Sequence, residues 1–357
     1  MILKKSFWKG KKVFLTGHTG FKGGWMSIFL SHLGAEVLGF SLKAQKKSFF
    51  NQVKLGSILH HNEGDIRDLS SLRKVEKKFK PEILIHMAAQ PLVIESYEDP
   101  VTTYSTNVMG TVNILELIRN SSSLKAGVII TTDKCYENRG LSRGYKETDR
   151  MGGYDPYSSS KGSAELIINS YQRSFFSKKQ NKKGSTCIAS VRAGNVIGGG
   201  DWAEDRLIPD LVRAAEKRER VKIRNPDAIR PWQHVIEPLL GYLLVAEKLY
   251  NKGPSGSDNW NFGPKRKDLA KVSEVADLFC SYWGDNLSWL KDSSSIYHEA
   301  DNLSLNIKKA KETLGWVPKW TLAYAIKKTV EWHRKKLSSR DLFNLSVNQI
   351  KEYLQNN

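Results

Sequence analysis

Tyr157-Ser-Ser-Ser-Lys161 sets a phenol and an ammonium four residues apart, and on a helix that spacing puts both on one face. The cation favours the phenolate and draws the tyrosine pKa down from about 10 toward working pH. Such a phenolate takes a hydroxyl proton while hydride leaves the same carbon, provided a hydride acceptor lies alongside. Thr131-Thr132, closing the apolar run Val128-Ile-Ile, offers a hydroxyl to the same substrate oxygen. A surface tyrosine with a lysine neighbour shows the same spacing by chance, so its meaning depends on what precedes it.

What precedes it is Thr16-Gly-His-Thr-Gly-Phe-Lys-Gly23. The apolar run Val13-Phe14-Leu15 leads in, and Trp25, Met26, Ile28, Phe29, Leu30 and Leu33 follow at helical spacings. Strand, glycine turn and helix in that order cradle a pyrophosphate. Gly17 permits the tight turn, Gly20 lets the backbone approach the phosphates, and Gly23 lets the helix pack on the strand. The helix N-terminus adds free N–H groups and a positive dipole end. The second strand closes Gly39-Phe40-Ser41-Leu42-Lys43, without the acid that binds a ribose 2′-hydroxyl. Ser41 and the nearby lysines leave NADP open on these residues alone.

These residues must be held by alternating strands and helices. Glu36–Ser41 reads as a strand, Gly64-Asp65-Ile66-Arg67 opens a helix at Asp68, and Ile83–Ala89 is apolar almost throughout. Such a run suits a strand buried on both faces of a parallel sheet. A helix through Thr106, Asn107, Gly110 and Leu115 leads to the strand at 128–132. The fold class is therefore α/β, a doubly wound parallel-sheet Rossmann domain over residues 1–190. The second half, richer in tryptophan and Pro/Gly turns, is a smaller α/β substrate-binding lobe over 191–357, with the chain re-entering the first domain around 228–250. The tail after Arg340 has helical spacing and packs back on the fold or onto a second subunit.

Composition narrows the class further. The chain has 357 residues, 40% of them hydrophobic, and a net charge of +19. No run approaches the ~18 apolar residues of a membrane span. The lysines at the N-terminus lead straight into the glycine turn, so no secretory leader is expected. Three widely spaced cysteines, Cys135, Cys187 and Cys280, suit neither a metal site nor a disulfide framework. The charge is spread along the chain without a basic stripe of interleaved aromatics, which points away from nucleic acid. A cytoplasmic protein is expected.

At this point the chain resembles the extended short-chain dehydrogenases/reductases over nearly its full length, and within them it is most similar to the CDP-glucose 4,6-dehydratases. Four segments carry the resemblance: Gly17–Gly23; Thr132-Asp-Lys-Cys-Tyr-Glu-Asn138; Arg192-Ala-Gly-Asn-Val-Ile-Gly-Gly-Gly-Asp-Trp202; and Asp205-Arg-Leu-Ile-Pro-Asp210 with Arg230-Pro-Trp-Gln-His234. The resemblance implies catalysis by Thr132, Asp133, Lys134, Tyr157 and Lys161. Oxidation at C4 of a hexose makes the C5 proton acidic; water then leaves across C5 and C6, and hydride returns to C6. Asp133 is implied as the acid toward the C6 hydroxyl. Lys134 is implied as the C5 base, or as a cation that steadies the enolate; an Asp–Lys pair bracing a loop is the plain alternative. Bound NAD is implied, held by Gly17, His18, Thr19, Gly20, Phe21, Lys22, Gly23, Ser41, Asp65, Ile66, Ala88, Ala89, Gln90, Asn107, Thr131, Tyr157 and Lys161. Asp65 equally suits a helix cap. For the nucleotide sugar, CDP-glucose, the implied contacts are Gln90, Asn195, Arg206, Leu207, Arg230, Trp232, His234 and Tyr297, with Trp202 as a pocket wall. Trp202, Trp232 and His234 equally suit ordinary core positions. A homodimer or homotetramer serving surface-polysaccharide precursors is implied as well. The alternatives are a dehydratase, epimerase or reductase for another nucleotide sugar, and an inactive basic binding protein.

Overall fold

The computed structural model describes residues 3–141, 143–177, 186–292, 302–335 and 337–355. Tyr297 and most of the lysine-rich connection at 177–184 lie outside the described residues. Seven strands form one parallel sheet: β1 (Lys12–Thr16), β2 (Glu36–Ser41), β3 (His60–Glu63), β4 (Ile83–His86), β5 (Ala126–Ile130), β6 (Cys187–Ala193) and β7 (Asn259–Phe262). Their order is β3-β2-β1-β4-β5-β6-β7. The winding direction therefore reverses between β1 and β4, where a crevice opens beyond the strand ends and ligands bind in such sheets.

Helices α1 (Phe21–Leu33), α2 (Leu69–Phe79), α3 (Gly110–Asn120) and α4 (Pro156–Ser174) fill the crossovers of the first half. Successive side chains on β1 point to opposite faces, and the cores follow that alternation. Val13 and Leu15 join Ile28, Phe29 and Leu243 in one core. Phe14 joins Ile114, Ile118 and Ile168 in the other. β4, β5 and β6 are buried along their whole length, as a sheet covered on both faces requires.

The longer helices of the second half are α5 (Leu207–Lys217), α6 (Ile236–Lys252), α7 (Val272–Trp283), α8 (Leu322–Arg334) and α9 (Ser339–Gln355). Leu211 and Val212 of α5, Phe279 of α7 and Ile326 of α8 share a separate core. α6 returns to the sheet, packing on β5 and β6, and β7 then pairs with β6. The tail packs back on the fold: α9 lies against α1. Tyr353 Oη of α9 donates to Glu237 of α6, which also accepts the Lys319 and Trp320 N–H groups at 2.9 and 2.7 Å. Among the described residues, no helix is long and apolar enough to cross a membrane.

Two caps decide local boundaries. Asp68 caps α2, accepting the N–H groups of Ser70 and Ser71 at 2.9 and 3.1 Å. Asp155 caps α4 by accepting the Ser158 N–H at 2.8 Å, with Pro156 in the first turn. That start fixes Tyr157 and Lys161 on one helical face, one turn apart.

Candidate active site

The glycine turn is built by close approach. Gly17 has φ +77°, and a Cβ there would stand 2.6 Å from the Ala88 nitrogen. A Cβ on Gly23 would stand 2.1 Å from the Gly17 oxygen. Neither position has room for a side chain, and Gly17 also needs the left-handed backbone. No side chain caps α1, whose first turn carries no acid, so its dipole end suits an anion. Thr16 Oγ1 is hydrogen-bonded to His86 Nδ1 at 2.7 Å and accepts from the Met87 and Ala88 N–H groups, joining β1 to β4 at the crevice. These features fit a dinucleotide.

Around the turn, His18 Nε2 meets His61 Nδ1 at 2.7 Å, and burial, then His61, pushes the His18 imidazole down to about 3. Thr19 and Ser41 join their hydroxyls at 2.7 Å. Phe21 lies against Gly198 of the second half. Ile66 is buried, while Asp65 accepts the Arg67 N–H at 2.8 Å and pairs with its guanidinium at 2.6 Å. Asp65 is thus a turn residue, and the helix cap is Asp68. Ala88 and Ala89 stay partly exposed at the strand end. Gln90 spends its side-chain amide on Leu92 O and Thr103 Oγ1, at 3.0 and 2.8 Å. Asn107, in a π turn at Ser105–Met109, clamps the Gln90 backbone and donates to Ser160 Oγ at 2.9 Å. Asn107 therefore ties the loop after β4 to the start of α4; π turns often mark functional sites.

The reacting groups meet at the ends of β5 and α4. Thr132 favours the Tyr157 phenolate, and Thr132 Oγ1 donates to Asp133 Oδ1 at 2.9 Å. Asp133 Oδ2 is buried without a hydrogen-bond partner. Burial raises the Asp133 pKa against Lys134, Thr132 and Arg230, which pull it down. Such an acid tends to keep its proton. Lys134 follows it and stays partly exposed. Burial pushes the Lys161 ammonium down to about 8, with Glu165 opposing.

The tyrosine departs from the sequence expectation. Burial pushes Tyr157 up to about 12, and the groups that pull it back are Arg206 and Thr132. Desolvation of the phenolate outweighs any cation along the helix in the protein alone. Thr131 departs too: its hydroxyl donates to Glu165 Oε1, which leaves the Thr132 hydroxyl as the one of the pair that faces Asp133.

Glu165 and Arg192 were missed by sequence reasoning. Glu165 lies one further turn along α4 and is 3% exposed. Burial would raise its pKa, but Arg192, Thr131 and Ser190 hold it below the usual value. Arg192 reaches it through Nε at 2.9 Å and Nη2 at 2.6 Å, and Arg192 Nη1 donates to Tyr136 Oη at 2.6 Å. The signal was the acid four residues after Lys161, at the same spacing as the lysine after the tyrosine.

Of the substrate-side residues, Arg206 precedes α5, pairs with Asp201 at 3.0 Å and pulls on Tyr157. Leu207 opens α5, and Asn195 is partly exposed after β6, its carbonyl accepting the Gln233 N–H at 2.9 Å. Arg230 is 3% exposed and bears on Asp133. Trp232 packs in the core of α5, α7 and α8. His234 is fully buried between Trp25 and Trp320, and burial pushes it down to about 3. His234 is thus a neutral core histidine. Trp202 donates to Gln52 Oε1 at 2.6 Å and lies under the Lys47 ammonium at 3.7 Å. The structure unites Thr132, Asp133, Tyr157, Lys161, Lys22, Arg206 and Arg230, and it keeps His234 and the Thr131 side chain apart from them.

A doubly wound sheet, a glycine turn at its switch point and a Thr–Tyr–Lys group beside it define a nicotinamide-dependent class. Residues 14–253 match the family described as GDP-mannose 4,6 dehydratase, and the chain belongs to that family, among the extended short-chain dehydrogenases/reductases. It is 50% identical over 354 residues to the CDP-glucose 4,6-dehydratase of Salmonella typhimurium strain LT2, covering 99% of each chain. It is 27% identical to a UDP-glucose 4-epimerase of Rhizobium leguminosarum bv. trifolii, covering 91% of this chain and 98% of that one. Among solved structures, the UDP-glucose 4-epimerase of Thermotoga maritima with UDP-glucose matches with TM-score 0.79 and 23% identity over 92% of this chain and all of that one. The dTDP-glucose 4,6-dehydratase of Bacillus anthracis str. Ames with NAD matches with TM-score 0.76 and 21% identity, over 94% of this chain and all of that one.

Glu165→Gln removes the anion that favours the Lys161 ammonium, so the Lys161 pKa falls further, by roughly one unit. The check is a pH titration of the 15N-labelled Lys161 Nζ resonance in wild type and variant, with a melting curve to establish that the variant is folded. A midpoint that stays near 8 in the folded variant contradicts the link.

Proposed function

We propose that this chain dehydrates CDP-glucose to CDP-4-dehydro-6-deoxyglucose, using NAD that is restored within each turnover. The observation that carries the reading is the buried, unpaired Asp133 Oδ2 beside Tyr157, in a chain half identical to a CDP-glucose 4,6-dehydratase. Bound along the glycine turn, NAD supplies one chemistry: it accepts hydride from C4 and gives it back at C6. Tyr157 takes the C4 hydroxyl proton, with Thr132 holding the same oxygen and Arg206 favouring the phenolate. Lys161 stands one turn below as the ammonium that Glu165 sustains. Asp133, whose pKa burial raises above the usual carboxylate value, is the acid toward the departing C6 hydroxyl. Lys134 acts on the C5 side. Arg206, Arg230 and Asn195 face the sugar and diphosphate, for which a guanidinium gives a bidentate fork. The seven-stranded sheet, to which α6 and β7 return, serves the cofactor, and the lobe of α5, α7 and α8 serves the nucleotide sugar.

The assembly belongs to the same proposal. Val101, Met109 and Leu166 are 77, 53 and 62% exposed on neighbouring helices of the first half. A second copy of the chain is a natural cover for these exposed apolar side chains, giving a homodimer.

Two variants separate the halves of the reaction. Lys134→Met retains NADH formation from CDP-glucose but loses dehydration by about 100-fold. Tyr157→Phe shows no NADH at all in a single turnover. Unchanged dehydration in the first, or normal NADH in the second, removes that residue from the mechanism. For the assembly, wild type sediments at twice the 40.5 kDa chain mass and Leu166→Glu at the chain mass. A wild type that sediments as a monomer contradicts the dimer.

A further inference from the structure

Tyr157 stands second in α4, where helix geometry leaves an N–H without a partner inside the helix. The first turn settles its other donors locally. Pro156 has no N–H, and Asp155 accepts from Ser158 through its carboxylate and from Ser159 through its carbonyl, at 2.8 and 2.9 Å. In that turn, the Tyr157 N–H is the one satisfied from elsewhere: it donates to Ser96 Oγ at 3.1 Å, across 61 positions of sequence. Ser96 belongs to a short helix, Val93–Glu98, that packs on α4. It is fully buried, and its own hydroxyl proton goes to Val93 O at 2.6 Å, which leaves a lone pair for Tyr157.

The carbonyl side of the same residue is held as well. Tyr157 O accepts the Ser160 hydroxyl at 2.7 Å, and Ser160 Oγ accepts from Asn107 Nδ2 at 2.9 Å. Asn107 grips the N–H and the carbonyl of Gln90, at 2.9 and 3.0 Å. Gln90 Nε2 donates to Leu92 O at 3.0 Å, just before the helix that carries Ser96. The backbone of Tyr157 is thus tied on both sides to one segment, the loop that leaves β4 and the short helix after it. Ala88 begins that loop against the glycine turn, its nitrogen 2.6 Å from where a Cβ on Gly17 would stand.

We propose that Ser96 is a positioning residue for C4 oxidation: by accepting the Tyr157 N–H, it holds the phenol in register with a dinucleotide bound against the loop after β4. The inference rests on the NAD-dependent reading above. Oxidation at C4 moves a proton to the Tyr157 oxygen and a hydride, with its electron pair, to the cofactor, so phenol and cofactor must meet the same carbon. The glycine turn and the loop after β4 place the cofactor, and α4 places the phenol. Ser96 joins the two directly. Alanine at 96 leaves the Tyr157 N–H buried without a partner, a cost that the helix start relieves by shifting. A small shift there slows hydride transfer far more than it weakens binding.

The test compares wild type, Ser96→Ala and Ser96→Thr by hydrogen exchange of the Tyr157 amide, single-turnover NADH formation from CDP-glucose and NAD, the KM of CDP-glucose, the Kd of NAD and a melting curve. In Ser96→Ala the Tyr157 amide exchanges roughly tenfold faster, without any dinucleotide present. NADH forms roughly 10- to 100-fold more slowly while KM and Kd stay unchanged, and C4-deuterated CDP-glucose shows a larger isotope effect than in wild type. Ser96→Thr, which keeps the hydroxyl, recovers the rate. A folded Ser96→Ala with the wild-type exchange or NADH rate, or one that loses rate and both affinities together, overturns the role of Ser96. If Ser96→Ala does not fold, Ser160→Ala opens the same clamp from the carbonyl side and slows NADH formation in the same selective way; a wild-type rate there overturns the clamp. Failure of wild type to form NADH from CDP-glucose overturns the cofactor reading, and this inference with it.

Discussion

Glu165 is the charge on which the rest of the site depends. Its carboxylate is buried beneath the reaction chamber, bound on both oxygens by Arg192 and further held by Thr131 and Ser190. A buried carboxylate is costly unless its lone pairs are satisfied, and here Thr131 at the end of β5 and Ser190 and Arg192 of β6 donate to a carboxylate carried by α4. The pair therefore joins three elements while supplying the negative charge that lets Lys161 stay an ammonium in a dry place. Without it, Lys161 would lose the anion that favours its charge, in a chamber that also holds Lys22, Arg206 and Arg230.

That surplus of positive charge has a chemical use. Substrate diphosphate and cofactor pyrophosphate are both anions, and a cation-rich crevice at the strand ends favours their joint binding. Within it, burial raises the Asp133 carboxyl above the usual carboxylate value, pushes Tyr157 up to about 12 and pushes Lys22 down to about 7. Each of these groups therefore takes the form that its neighbouring charges decide.

Much of this was legible in the sequence, for local reasons. The glycine turn, the start of α4 and the helix opening at Asp68 depend on residues within a few positions, and the structure places them as read; the cap that suited Asp65 falls instead to Asp68. The tail was also legible as a helix, although only its contact with Glu237 decides that it packs back on its own fold. Other residues depend on distant partners. The Lys22 ammonium meets Tyr242, 220 residues away, so the sequence shows Lys22 only as one of the cofactor contacts that the resemblance implies. His234 read as a pocket residue because its neighbours in sequence are polar or aromatic; Trp25 and Trp320 enclose it in space. Tyr157 read as activated by Lys161 because spacing shows the cation but not the cost of burial. Thr131 and Thr132 alternate across a strand end, and Glu165 decides which of them is engaged away from the site.

The central claim is that one chamber both oxidises C4 and expels the C6 hydroxyl of a cytidine-linked glucose. Mass spectrometry after incubation in deuterated water tests it most directly, with NAD present and CDP-, UDP-, dTDP- and GDP-glucose supplied separately. The account predicts loss of one water from CDP-glucose alone, with one solvent deuterium retained at C5. Turnover of another nucleotide sugar in its place, or product without C5 deuterium, contradicts it.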